Sequence, residues 1–116
     1  MSADVDALTQ RLRAFAKARS WSRFHSPKNL ASALSVESGE LLENFQWLTD
    51  KQSRQLTQSQ KQAVAMEAAD VFLYLLQLCD TLSIDLLGAA HEKLLLNEQR
   101  YPAERARGNS KKYTEL

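Results

Sequence analysis

Only three glycines and two prolines punctuate a chain of 116 residues. Glycine frees the backbone for sharp turns and proline interrupts helices, so a chain this poor in both is committed to long helices with few connections. The apolar periodicity agrees. Val5, Leu8, Leu12 and Phe15 step by three and four residues, one face of a helix, and predict a first helix ending near Arg19. Ser26 followed by Pro27 reads as an N-cap with proline at the first helical position. The second helix then runs to Leu48, about 22 residues or ~33 Å, with a seam at Leu30, Leu34, Glu37, Leu41, Phe45 and Leu48. The polar stretch "TDKQSRQLTQSQ" makes a connection with room for one helical turn. A third helix, Ser59 to Thr81, has its seam at Val64, Glu67, Val71, Tyr74 and Leu78. A fourth, capped by Ser83, turns Ile84, Leu87, His91 and Leu94 or Leu95 inward and stops before Pro102. Residues 1–102 are therefore expected to form one all-α domain, a four-helix bundle, followed by a polar tail at 103–116 that is mobile on its own.

Composition narrows the partners. A hydrophobic share of 44% with 25% charged residues suits a globular chain. The net charge of +1 argues against a nucleic-acid partner, which usually needs a basic face. No apolar run approaches the ~18 residues of a membrane span, and "MSADVDALTQ" has no basic start followed by an apolar signal core. The single cysteine, Cys79, excludes an intrachain disulfide and reads as core. These features lead to the expectation of a cytoplasmic protein without membrane or nucleic-acid partners.

Two seams carry the wrong chemistry for a core. Glu37 with Glu40, and Glu67 with Asp70, are carboxylate pairs three residues apart, so each pair projects from one helical face. Taken singly, such a pair is an ordinary solvated face. Two pairs on the apolar seams of separate long helices converge on one point when those helices pack. An uncompensated cluster would be destabilising or partly protonated. A hard divalent cation resolves the conflict, and an all-oxygen set suits Mg²⁺ or Mn²⁺ rather than zinc. A di-iron centre fits poorly, because neither His25 nor His91 follows a glutamate by three residues as that ligand pattern requires.

Glu37-x-x-Glu40, then Glu67-x-x-Asp70, resembles the signature of the MazG-like all-α nucleoside triphosphate pyrophosphohydrolases. "WSRFHSPKNLASALSVESGELLENFQW", "EAADVFLYLLQL" and "NEQRYPAERARGNSKKYTEL" resemble its dCTP pyrophosphatase branch, from about Val5 onward. The resemblance implies a bundle of the MazG-like type assembled as a homo-oligomer, commonly a tetramer. It implies hydrolysis of a nucleoside triphosphate, dCTP or a related deoxynucleotide, to the monophosphate and pyrophosphate. By the same resemblance Glu37, Glu40, Glu67 and Asp70 hold magnesium and serve catalysis. Trp21, Ser22, Arg23, Phe24 and His25, with Trp47 and Tyr74, line the base pocket, and Lys93 and Asn97 approach the phosphates. One departure is Leu12, where vertebrate members carry a histidine that touches substrate. Lys28 and Asn29, at a helix start, are further candidates for an anion. Arg100 continues the Lys93–Asn97 face, and His91 reads as structural. The rival reading is a non-catalytic helical scaffold that binds nucleotide or metal without turnover.

Overall fold

The structure, a computed structural model, describes residues 3–116. All regular elements among these are helical: α1 (Ala3–Ala18), a 3₁₀ turn at Ser22–Phe24, α2 (Pro27–Glu43), α3 (Asp50–Ser53), α4 (Gln58–Thr81), α5 (Leu86–Arg100), α6 (Ala103–Ala106) and a 3₁₀ turn at Tyr113–Glu115. The start of α2 follows the sequence, with the Ser26 hydroxyl accepting from the Asn29 amide at 3.2 Å and proline in the first turn. Its end does not. The helix stops at Glu43 rather than reaching Leu48, and Asn44 shows why. The Asn44 carboxamide donates to the carbonyls of Glu40 and Leu41, both at 3.3 Å, so a side chain satisfies groups that a continuing helix would have used. Tight turns then carry the chain to Leu48. Thr49 with Gln52, and Thr57 with Gln60, form two reciprocal capping boxes that start α3 and α4.

Two helix stops share one geometry. Ser20 and Ser83 both adopt φ of 56°. Around them Trp21 N–H donates to Ala16 O at 2.9 Å and Ser20 N–H to Lys17 O at 3.1 Å, while Ile84 N–H donates to Cys79 O at 2.8 Å and Ser83 N–H to Asp80 O at 3.1 Å. These are Schellman motifs with serine in the left-handed position that glycine usually takes. Ser83 therefore ends α4, and the expected N-cap role falls to Asp85, whose carboxylate accepts from the Gly88 amide at 3.1 Å. A Cβ on residue 88 would lie 2.5 Å from Asp85 Oδ2, so a larger residue there would push the capping carboxylate aside.

The main packing joins α2 to α4, with α1 lying more lightly on α4. Arg13 on α1 clamps Asp80 on α4 through two guanidinium hydrogen bonds, Nε donating to Oδ2 at 2.8 Å and Nη2 to Oδ1. By length and composition α4 alone, among the described helices, is able to cross a membrane, yet here it is the helix on which α1 and α2 lie. Within the single chain α5 makes no packing comparable to that of α2 on α4, and Leu94 and Leu95 on it are more than half exposed. The chain consequently leaves its core thin. Among the described residues only Ala16, Leu30, Leu76 and Cys79 are buried apolar side chains. The tail carries more order than its composition suggests: the Tyr113 ring meets Tyr101 edge-on at 6.1 Å, and the Arg100 guanidinium lies 4.5 Å from the Tyr113 ring centre.

Candidate metal centre and its adjoining pocket

The α2–α4 pairing brings the two acidic pairs together. Glu37, Glu67 and Asp70 each place a carboxylate oxygen within 4.8 Å of the others. The Oε2 atoms of Glu37 and Glu67 are shut off from solvent and have no hydrogen-bond partner. Such groups are costly to desolvate. Burial, reinforced by the Glu40 carboxyl and by the charges of Asp70 and Glu67, pushes the Glu37 carboxyl up from its ordinary 4.5 to about 7. Burial first, and then the negative charges of Glu40 and Asp70, raises Glu67 as well. The protein has thus assembled oxygen donors with unspent hydrogen-bonding capacity and mutual repulsion. That donor set fits a hard divalent cation. Glu40 stands beside the three rather than among them.

A cavity of about 360 Å³ opens next to this cluster, lined by Leu8, Arg11, Leu12, Phe15, Trp21, His25, Asp70, Leu73, Tyr74 and Gln77. Asp70 belongs to both. The walls are largely apolar and aromatic, with a few polar groups between them, the usual make-up of a small-molecule site. Trp21 is held edge-on against Phe15 at 5.6 Å and against His25 at 6.3 Å, while Arg19 covers the outer face of Phe15 at 3.7 Å.

Of the residues singled out from sequence, Trp21, His25, Tyr74 and Asp70 meet in this cavity. Ser22 faces an adjoining groove with His25. Arg23 and Phe24 pair with each other at the exposed rim, the guanidinium 4.7 Å from the ring centre. Trp47 is 86% exposed and touches neither the cavity nor the core of its own chain. Lys93 and Asn97 lie on α5 and are not among the residues lining the cavity, and Asn97 O accepts the Tyr101 amide at 2.8 Å. Asn29 is occupied locally, its side chain donating to Phe24 O at 2.9 Å. His91, expected inward, is exposed.

Sequence reasoning passed over Arg11, Phe15 and Gln77 as pocket residues. Phe15 was assigned to a core stripe, whereas 46% of it remains exposed at the cavity wall. Gln77 had a usable signal: it lies seven residues after Asp70 and three after Tyr74, the spacing of one helical face.

The profile of the MazG-like family matches residues 32–116, and the chain belongs to that family. More particularly, it is 44% identical to dCTP pyrophosphatase 1 of Homo sapiens over 104 residues, 88% of this chain and 61% of that protein. It is 42% identical to the Rattus norvegicus protein of the same name over the same shares. The chain therefore spans about three-fifths of the length of these curated relatives. A solved pyrophosphatase structure from Archaeoglobus fulgidus superposes with a TM-score of 0.82 at 39% identity, covering 88% of this chain and 95% of that one.

Proposed function

We propose that this protein hydrolyses a deoxynucleoside triphosphate, dCTP or a close relative, to the monophosphate and pyrophosphate with Mg²⁺ bound at Glu37, Glu40, Glu67 and Asp70. The observation that carries the reading is the pair of buried, unpartnered carboxylate oxygens on Glu37 and Glu67, directly beside an aromatic cavity of nucleobase size. A Mg²⁺ held by these acids would supply polarisation of the phosphate and charge neutralisation for the departing pyrophosphate. The chain's own part is positional. Trp21 offers the base a stacking face, His25 a polar edge, and Asp70 links the base pocket to the acids. Glu40, beside the three closest acids, is our candidate to accept a proton from the attacking water. The names of the similar pyrophosphatases support the same reaction class.

The active form we propose is a homo-oligomer, a tetramer built from dimers. A folded monomer of 13.1 kDa exposes about 6,400 Å², whereas this chain exposes 9012 Å². Its radius of gyration is 17.6 Å, against about 13 Å for a compact domain of this length. The excess surface is of the order that obligate interfaces bury, and Leu94, Leu95 and Trp47 lie on it. In that assembly Trp47, Lys93 and Asn97 complete the site of a neighbouring chain.

The test is incubation of purified protein with dCTP and Mg²⁺, with pyrophosphate and orthophosphate assayed separately. Stoichiometric pyrophosphate without orthophosphate supports the reading. Nucleotide binding without turnover would instead identify a scaffold.

A further inference from the structure

Among the described residues lining the cavity, Gln77 is the one with a carboxamide side chain. It sits on α4, the best-packed helix of the chain, so its position is set by a rigid element rather than by a loop. Seven residues at 1.5 Å each place it about 10.5 Å along the helix from Asp70, with Tyr74 on the same face between them. A nucleotide whose phosphates lie at the acids and whose base lies in the cavity spans a distance of that order. Its base edge then faces Gln77.

The carboxamide leans back along its own helix through one long contact. One of its terminal atoms lies 3.4 Å from the carbonyl oxygen of Leu73. A carbonyl oxygen only accepts, so the atom facing it must be the NH₂ group. The same group cannot turn toward the base without giving up that bond. Oε1 is thereby left as the acceptor available to a ligand.

We infer that Gln77 is a specificity-determining residue that selects bases carrying an exocyclic amino group on the pairing edge over those carrying a carbonyl there. Resting on the pyrophosphohydrolase reading above, this deepens it from a substrate family to a chemical distinction. The 4-amino group of cytosine donates to Oε1, whereas the 4-oxo group of uracil presents lone pairs to lone pairs. Trp21 supplies a face that serves either base alike, since stacking is tolerant of base identity. Discrimination then comes from an edge contact, and Gln77 Oε1 is the carboxamide acceptor that α4 presents to the cavity.

The decisive comparison is kcat/KM for dCTP and dUTP, which differ in that 4-substituent and in the proton carried at N3, in the wild type, Gln77→Leu and Gln77→Glu, with melting temperatures for each. The wild type should prefer dCTP. Gln77→Leu should reduce the dCTP-to-dUTP ratio about tenfold, the scale of one hydrogen bond in a desolvated site. Gln77→Glu, which fits the same space and keeps acceptors while losing the donor, should retain the preference. A wild-type ratio in Gln77→Leu overturns the assignment, as does a wild type indifferent to the two bases. Loss of preference in a folded Gln77→Glu overturns it too, and that arm stands if the leucine variant fails to fold. Absence of pyrophosphate release from either nucleotide by the wild type is the separate outcome that brings down the underlying reaction and this role with it.

Discussion

Glu37 on α2 and Glu67 on α4 hold carboxylate oxygens within 4.8 Å of each other, each buried and without a hydrogen-bond partner at Oε2. Two helices that pack mainly on one another have therefore put like charges at their contact. This arrangement trades stability of the bare protein for a site ready to receive a cation.

That trade gives the first expectation. Glu37→Gln, Glu67→Gln and Asp70→Asn should each lower turnover on the order of 100-fold or more, the scale for removing a charge-stabilising group from a reacting centre. In the absence of metal the same variants should melt higher than wild type, because repulsion is relieved. Parallel kinetics and metal-free thermal melts check both halves; a stability loss with full turnover would contradict the site.

Acidity should act on the metal-free protein in an unusual direction. Glu37 titrates near 7 in the folded chain against an ordinary 4.5. Between these values the folded state holds a proton that the unfolded chain has released, so stability falls as pH rises. The contribution is fully present below about 4.5 and lost as pH passes through about 7. Thermal melts in chelator between pH 5 and 8 should show the decline, and Glu37→Gln should flatten it. Saturating Mg²⁺ should reverse the trend, since the cation binds the deprotonated acids.

The Arg13–Asp80 clamp behaves oppositely. The guanidinium holds the Asp80 carboxyl below its ordinary range, so its contribution is present at neutral pH and lost as pH falls through that depressed value. Because the Arg13 side chain is 62% exposed, solvent screens the pair and its contribution is small. Arg13→Ala should lower the melting temperature slightly at pH 7, with the gap from wild type closing in strong acid.

Trp21→Ala should remove a stacking term of ~1–3 kcal/mol. That corresponds to a fall in kcat/KM of roughly 5- to 150-fold. Divalent-cation affinity of the nucleotide-free protein should change little. Titration calorimetry with Mg²⁺ or Mn²⁺ beside the kinetics separates a pocket role from a general loss of fold.

Assembly is tested on α5. Leu94→Asp, at a side chain 58% exposed in the single chain, should shift sedimentation toward smaller species and reduce activity together. An unchanged oligomer would place the interface elsewhere.

The helical class, the Ser26–Pro27 start of α2 and the acidic cluster were legible because each follows from local rules: periodicity, capping chemistry and i, i+3 geometry. The end of α2 was not, since Asn44 acts through a side-chain competition that periodicity does not register. Ser83 looked like a cap because serine often is one, but its left-handed backbone depends on the preceding helix ending there. The apolar face of α5 was visible, whereas what it packs against was not, because a seam signals burial without naming the surface that provides it. Gln77 was hidden by its neighbours. Amid leucines it reads as a tolerated polar residue until the cavity beside it is known.

The stop of α1 at Ser20 lies one residue before Trp21, whose amide closes the motif on Ala16. The bracket that terminates a helix is thus also the mounting of the pocket's aromatic wall. Evolution cannot adjust the two independently. A change at position 20 that eases the left-handed backbone, glycine being the obvious one, would steady the fold and re-aim the indole in a single step. A β-branched residue there would unsettle both. A change at position 20 therefore bears on the end of α1 and on the seat of Trp21 together.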